Sequence, residues 1–185
     1  MKITNVYNNL ITEGESVKTK YGCVMIYMEP TSELKSLQDK IDDEDIYSKL
    51  VDGKEDYGRT PDDEYHVTVL YGLHEEVTDE DVKDVLYSED TPEIKLENIS
   101  IFENDDFDVV KVDVISDGLN SLNEKMAEYP HTTDYPDYHP HMTIAYVKKG
   151  MGKKYAEDLK DFSITPNKFV YSKIDETKLS IPFKD

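Results

Sequence analysis

Residues 22–28, Gly-Cys-Val-Met-Ile-Tyr-Met, are almost wholly apolar and predict a strand, closed by Glu29-Pro30, where proline stops strand pairing. Behind it Leu34, Leu37 and Ile41 recur at helical spacing, with Thr31 and Ser32 available as cap residues. Residues 42–64 then lose periodicity. Ten carboxylates gather there around Gly53 and Gly58, which predicts a partly helical, then loop-like, solvated acidic connection. A strand over 65–70 follows. After it Thr78, with Asp81 three residues on, forms a capping-box pattern ahead of Val82, Val85 and Leu86 on one helix face.

The second half repeats this order. Strands are predicted over 94–102 and 107–115, and a helix is marked by Leu119, Leu122 and Met126 after Ser116-Asp117. A proline-rich loop, 130–140, leads into a strand over 141–147. Tyr155 and Leu159 suggest a short helix, and two β-rich segments, around 168–174 and 177–183, close the pattern. Each half thus contains a strand, a helix and a strand opening on His-x-Thr, the element order of a degenerate duplication. The expected organisation is an N-terminal arm, 1–20, and a single domain, 21–185.

Composition narrows the function classes. The formal charge is −20, with 41 acidic against 21 basic residues and a single arginine, Arg59. Non-specific binding of long nucleic acid rests on Lys and Arg neutralising successive phosphates, so a long polyanion is a poor partner, while a small anion needs only two or three placed donors. No apolar run reaches membrane-spanning length and the first twenty residues are polar, which points to a soluble, cytoplasmic protein. The one cysteine, Cys23, sits in an apolar run and reads as an inert thiol.

The chemistry is concentrated in His66-Val67-Thr68 and His141-Met142-Thr143. Strand alternation puts His66 and Thr68 on one face, and His141 and Thr143 likewise, with the apolar neighbours on the reverse. By the same count Tyr71 and Tyr146, each five residues after the histidine, belong to the core. If the two strands are close in space, one imidazole can accept the nucleophile's proton while the other donates to the leaving oxygen. The threonine hydroxyls can hold non-bridging phosphate oxygens, and no metal is required. One such histidine is most simply a satisfied strand residue; two matching copies favour a site. A competing zinc reading uses His139 and His141 as a pair, but Pro140 places His139 in the loop and no HExxH or Cys pair completes a site.

The stretches His66-Val-Thr-Val-Leu-Tyr-Gly72 and Pro140-His-Met-Thr-Ile-Ala-Tyr146 resemble the two signature motifs of the 2H phosphoesterase superfamily, LigT-like proteins included. That resemblance implies an α+β fold of two duplicated βα lobes with antiparallel sheets flanking a central cleft, and catalysis by His66, Thr68, His141 and Thr143. It implies metal-independent, cofactor-free cleavage of phosphodiesters. Within the superfamily the Tyr-Gly ending of the first motif is more similar to the phage anti-CBASS branch, which cleaves cyclic oligonucleotide signals. RNA-end 2′,3′-cyclic phosphodiesterases often place Arg where this chain has Tyr146. Candidate substrate contacts are Tyr21 and Tyr138 for stacking, and Lys20, Arg59, Lys148 and Lys149 near phosphate. A non-catalytic protein that sequesters a nucleotide or mimics DNA with its acidic surface is the alternative from another class.

Overall fold

The computed structural model describes residues 21–51, 54–134 and 137–184. The expected arm, 1–20, and Lys20 with it, lie outside these residues. Ten strands and three α-helices alternate in an α+β arrangement: β1 (Gly22–Met28), α1 (Ser32–Gln38), β2 (Ser48–Val51), β3 (Lys54–Tyr57), β4 (His66–Leu73), α2 (Asp79–Leu86), β5 (Ile94–Glu103), β6 (Phe107–Ile115), α3 (Asp117–Met126), β7 (His141–Lys148), β8 (Glu157–Ile164), β9 (Pro166–Ser172) and β10 (Lys178–Ile181), among the described residues. The helices start where the sequence supplies caps. Thr31, Thr78 and Ser116 each accept a backbone N–H of the first turn, and Thr78 and Asp81 close the capping box.

Eight strands form one antiparallel sheet in the order β10-β9-β1-β4-β7-β6-β5-β8. The two repeats, β1-α1-β4 and β6-α3-β7, stand on either side of its middle, so the two lobes are halves of one sheet joined where β4 meets β7 through Val67 and Met142. One face is apolar. Val24, Ile26, Val67, Val69, Val110, Val112, Met142 and Ile144 are buried there with Leu34 and Leu37 of α1 and Leu119, Leu122 and Met126 of α3. Each such side chain contributes about 1.5–3 kcal/mol on leaving water. The opposite face of the central strands keeps its polar residues half-buried.

Two local expectations are corrected. The acidic segment carries a hairpin, β2 paired with β3, where a loop was expected. Residues 155–159 do not form a helix: a 3-10 turn, Gly152–Tyr155, is followed directly by β8, whose pairing with β5 outweighs the helical spacing of Tyr155 and Leu159. No helix among the described residues is long and apolar enough to cross a membrane.

Candidate active site

The four motif side chains converge on the half-buried face. Counted from the antiparallel pair Val67 and Met142, His66 lies opposite Thr143 and Thr68 opposite His141. The histidines therefore occupy one diagonal and the threonines the other. A diagonal across adjacent strands spans about 7–8 Å, room for a phosphorus centre between two imidazoles.

Both imidazoles are oriented in the same way. His66 Nδ1 is 2.7 Å from the Glu64 carbonyl oxygen, and His141 Nδ1 is 2.9 Å from that of His139. A carbonyl only accepts, so each Nδ1 carries the hydrogen and each Nε2 bears the lone pair that can accept a proton. His139 thus serves His141 through its backbone. Burial, the leading cause, pushes both histidines below their ordinary pKa. The carbonyl bonds oppose this at both sites, helped by Glu64 at His66 and Asp113 at His141. Lys178 adds to the depression at His66, and Lys111 and the other imidazole add to it at His141.

The flanks of the two histidines differ. Tyr27, opposite His66 on β1, stacks on its ring at 5.3 Å. His141 meets the Phe102 ring edge-on at 5.0 Å and stands opposite Asp113 on β6. Lys111 stands opposite Thr143; its ammonium bonds Asp113 and the Ser100 hydroxyl (2.6 Å) and lies 4.4 Å from the Phe102 ring centre. Asn98 completes the cluster with a 2.6 Å bond to Asp113. Lys111 escaped the sequence reading, yet its signal was present. In Phe107-Asp-Val-Val-Lys-Val-Asp-Val-Ile115, Lys111 and Asp113 are the polar pair at strand alternation beside a motif strand.

Tyr71 and Tyr146 correct the pleat count. The partner of Met25 is Thr68 but that of Val24 is Leu70, so Val69 is an extra residue; likewise Lys111 pairs Thr143 and Val110 pairs Ala145, leaving Ile144 extra. These two β-bulges re-aim the following residues. Tyr71 then pairs with Cys23 and Tyr146 with Val109, on the histidine face, and both are half-buried rather than core. Tyr71 meets Tyr21, and Tyr146 joins Tyr57 and Phe107. Cys23 is on this face as well, with its thiol pushed up to about 12 by burial against a bond from Thr68, consistent with an inert group.

The remaining candidates are held by the scaffold. Tyr138 donates its hydroxyl to the Thr68 carbonyl at 2.8 Å. Arg59 binds the Ile41 carbonyl (2.6 Å) and Asp43 (2.8 Å). Lys148 donates to the Glu44 carbonyl and Lys149 to the Asp105 carbonyl. Tyr21 stacks on His74 at 5.6 Å and meets Tyr71 edge-on at 6.1 Å.

The eight-stranded sheet carrying the paired HxT strands is an α+β fold that several solved structures share. Solved structures with the same fold include Usb1 of Kluyveromyces marxianus (9% identity over 89% of this chain and 98% of that one, TM-score 0.54) and TT0787 of Thermus thermophilus (15% identity, 88% and 100%, TM-score 0.53). LigT of Escherichia coli, complexed with 3′-AMP, is another (11% identity, 89% and 96%, TM-score 0.50). More particularly, residues 21–179 match the family described as anti-CBASS protein Acb1, and the chain belongs to that family. No match is found among curated proteins.

Proposed function

We propose that this chain is a metal-independent phosphodiesterase that cleaves 3′-5′ or 2′-5′ linkages of small cyclic nucleotides or oligonucleotides. Membership of an anti-CBASS family supports a cyclic-oligonucleotide immune signal of a phage's host as the substrate. The observation that carries the reading is the diagonal pair of imidazoles, each with Nδ1 tied to a carbonyl and Nε2 left for chemistry.

In the proposed reaction the free ribose hydroxyl next to the linkage, 2′ for a 3′-5′ bond and 3′ for a 2′-5′ bond, attacks phosphorus. The neutral imidazole takes its proton on Nε2, and the protonated imidazole gives one from Nε2 to the departing oxygen. A cyclic phosphate and a free hydroxyl result, and the two histidines exchange protonation states. Thr68 and Thr143 donate to the non-bridging oxygens, and the Lys111 ammonium beside Thr143 supplies compensating positive charge on a protein of strongly negative net charge. Lowered pKa values favour the neutral form of both histidines, the form the base needs, so the state with one imidazole protonated is favoured on the acid side of neutrality.

The decisive experiment incubates the protein with cyclic mono-, di- and trinucleotides and 2′,3′-cyclic mononucleotides, and reads the products by mass. Opening of a linkage between two nucleosides, lost in His66→Ala and His141→Ala, is the expected result. Turnover confined to 2′,3′-cyclic mononucleotides would assign the RNA-end activity instead. Unchanged ligands throughout would leave only a binding protein.

A further inference from the structure

The two bulges that put histidine, threonine and tyrosine on one face are held by side-chain amides, each from the other repeat. We propose that Gln38 of α1 and Asn123 of α3 are positioning residues of the active site, acting through the bulges at Ile144 and Val69. The inference rests on reading the cleft as a phosphodiesterase site.

The geometry is reciprocal. Val69 and Ile144 occupy the same place in their motifs, three residues after His66 and His141, and each is the extra residue of its bulge. Asn123 Nδ2 donates to the Val69 carbonyl at 2.7 Å. Gln38, which is 3% exposed, donates from Nε2 to the Ile144 carbonyl at 3.0 Å and to the Thr60 carbonyl at 2.7 Å. The carbonyls of the two motif threonines are held in parallel fashion. Tyr138 donates to that of Thr68 at 2.8 Å, and the Thr60 hydroxyl to that of Thr143 at 2.9 Å.

An extra residue turns part of the ladder out of register and directs its carbonyl away from ordinary strand pairing. A fixed donor at that carbonyl selects the bulged backbone over a regular strand, in which Tyr71 and Tyr146 would alternate onto the core face. The same backbone sets the direction of Thr68 and Thr143, and a displacement of about 1 Å there is worth about 100-fold in rate. Each helix therefore sets the geometry of the opposite half of the site.

Two substitutions test this in the full chain. Asn123→Ala removes the donor while improving helix propensity, and Gln38→Met removes it at nearly constant volume. Ile144 keeps a bond from the Thr60 amide at 3.0 Å, so Gln38→Met alone removes one of two donors, and the double variant Asn123→Ala/Gln38→Met is made as well. The expected result, with folding confirmed by circular dichroism, is a fall in kcat of about 10–100-fold in Asn123→Ala and in the double variant. KM should stay within about threefold of wild type. Crystal structures of both should show Tyr71, and in the double variant also Tyr146, turned from the cleft face. Unchanged kcat in folded Asn123→Ala or in the folded double variant overturns the proposal, as does a loss that only tracks the unfolded fraction. If the wild-type chain cleaves no nucleotide, the functional reading has failed. The crystal structures then decide alone, and intact bulges in the double variant overturn the positioning role.

Discussion

Val67 pairs with Met142 at the junction of β4 and β7, and this one register places two diagonals, His66–His141 and Thr68–Thr143, on the opposite face of the sheet. Because the pairing is antiparallel, each histidine meets the other motif's threonine. Neither motif makes a site alone.

His66→Ala and His141→Ala are each expected to lower kcat by about 10²–10⁴-fold, the usual share of a general acid or base. Circular dichroism should show both variants folded, because neither side chain belongs to the apolar cluster. Near-wild-type turnover in either would remove that histidine from proton transfer.

The pH profile follows from the depressed histidines. One imidazole must be neutral and the other protonated, and both titrate below their ordinary value of about 6.5. The pair interacts, so two macroscopic values bound the profile. The maximum of kcat/KM should fall on the acid side of 6.5 and decline above it. Stability shows the same groups. Between the folded values and about 6.5 the unfolded chain binds more protons, so the contribution is present above 6.5 and is lost as pH falls through the folded values. Urea titrations from pH 7 to 5 should show declining stability, with a shallower slope in His66→Gln; an identical slope would contradict the depressed pKa.

Gly72 closes the first motif for a reason visible only in three dimensions. Its φ is +112°, and a Cβ there would sit 2.0 Å from the Thr132 carbonyl oxygen, while its own carbonyl accepts the Thr132 N–H at 2.9 Å. Gly72→Ala should therefore cost about 1–3 kcal/mol or more in urea unfolding and loosen the 130–134 segment against β4. A cost below about 0.5 kcal/mol would mean that the loop moves away freely.

Where a local apolar period is backed by a cap it reached the right structure, whereas the uncapped spacing of Tyr155 and Leu159 did not. The capped helices behind Thr31, Thr78 and Ser116, the strands at both motifs and the strand-helix-strand repeat are all legible from apolar spacing. The bulges are not. Val69 and Ile144 are β-branched residues inside apolar runs, without the glycine or proline that commonly marks an irregularity, so alternation miscounted Tyr71 and Tyr146 by one. The contacts of the basic side chains were also not legible: Arg59, Lys148 and Lys149 donate to the carbonyls of Ile41, Glu44 and Asp105, which charge in the sequence does not announce. The strand order that brings Lys111 beside Thr143 is a tertiary fact.

Lys111 and Asp113 supply the last prediction. The lysine side chain is only 9% exposed and bonds both Asp113 and Ser100, so Lys111→Met leaves a carboxylate opposite His141 without its cation. Breaking one partner of such a pair costs about 3 kcal/mol, whereas removing both with apolar replacements is often near neutral. Lys111→Met should thus be markedly less stable in urea than Lys111→Met/Asp113→Leu. The single variant also removes positive charge that lowers the His141 pKa and leaves negative charge that raises it, so the kcat/KM profile should move to higher pH. The double variant should return the profile toward wild type while remaining slower, because the charge beside Thr143 is gone from both. If the single and double variants share one pH profile, Lys111 and Asp113 do not act on His141.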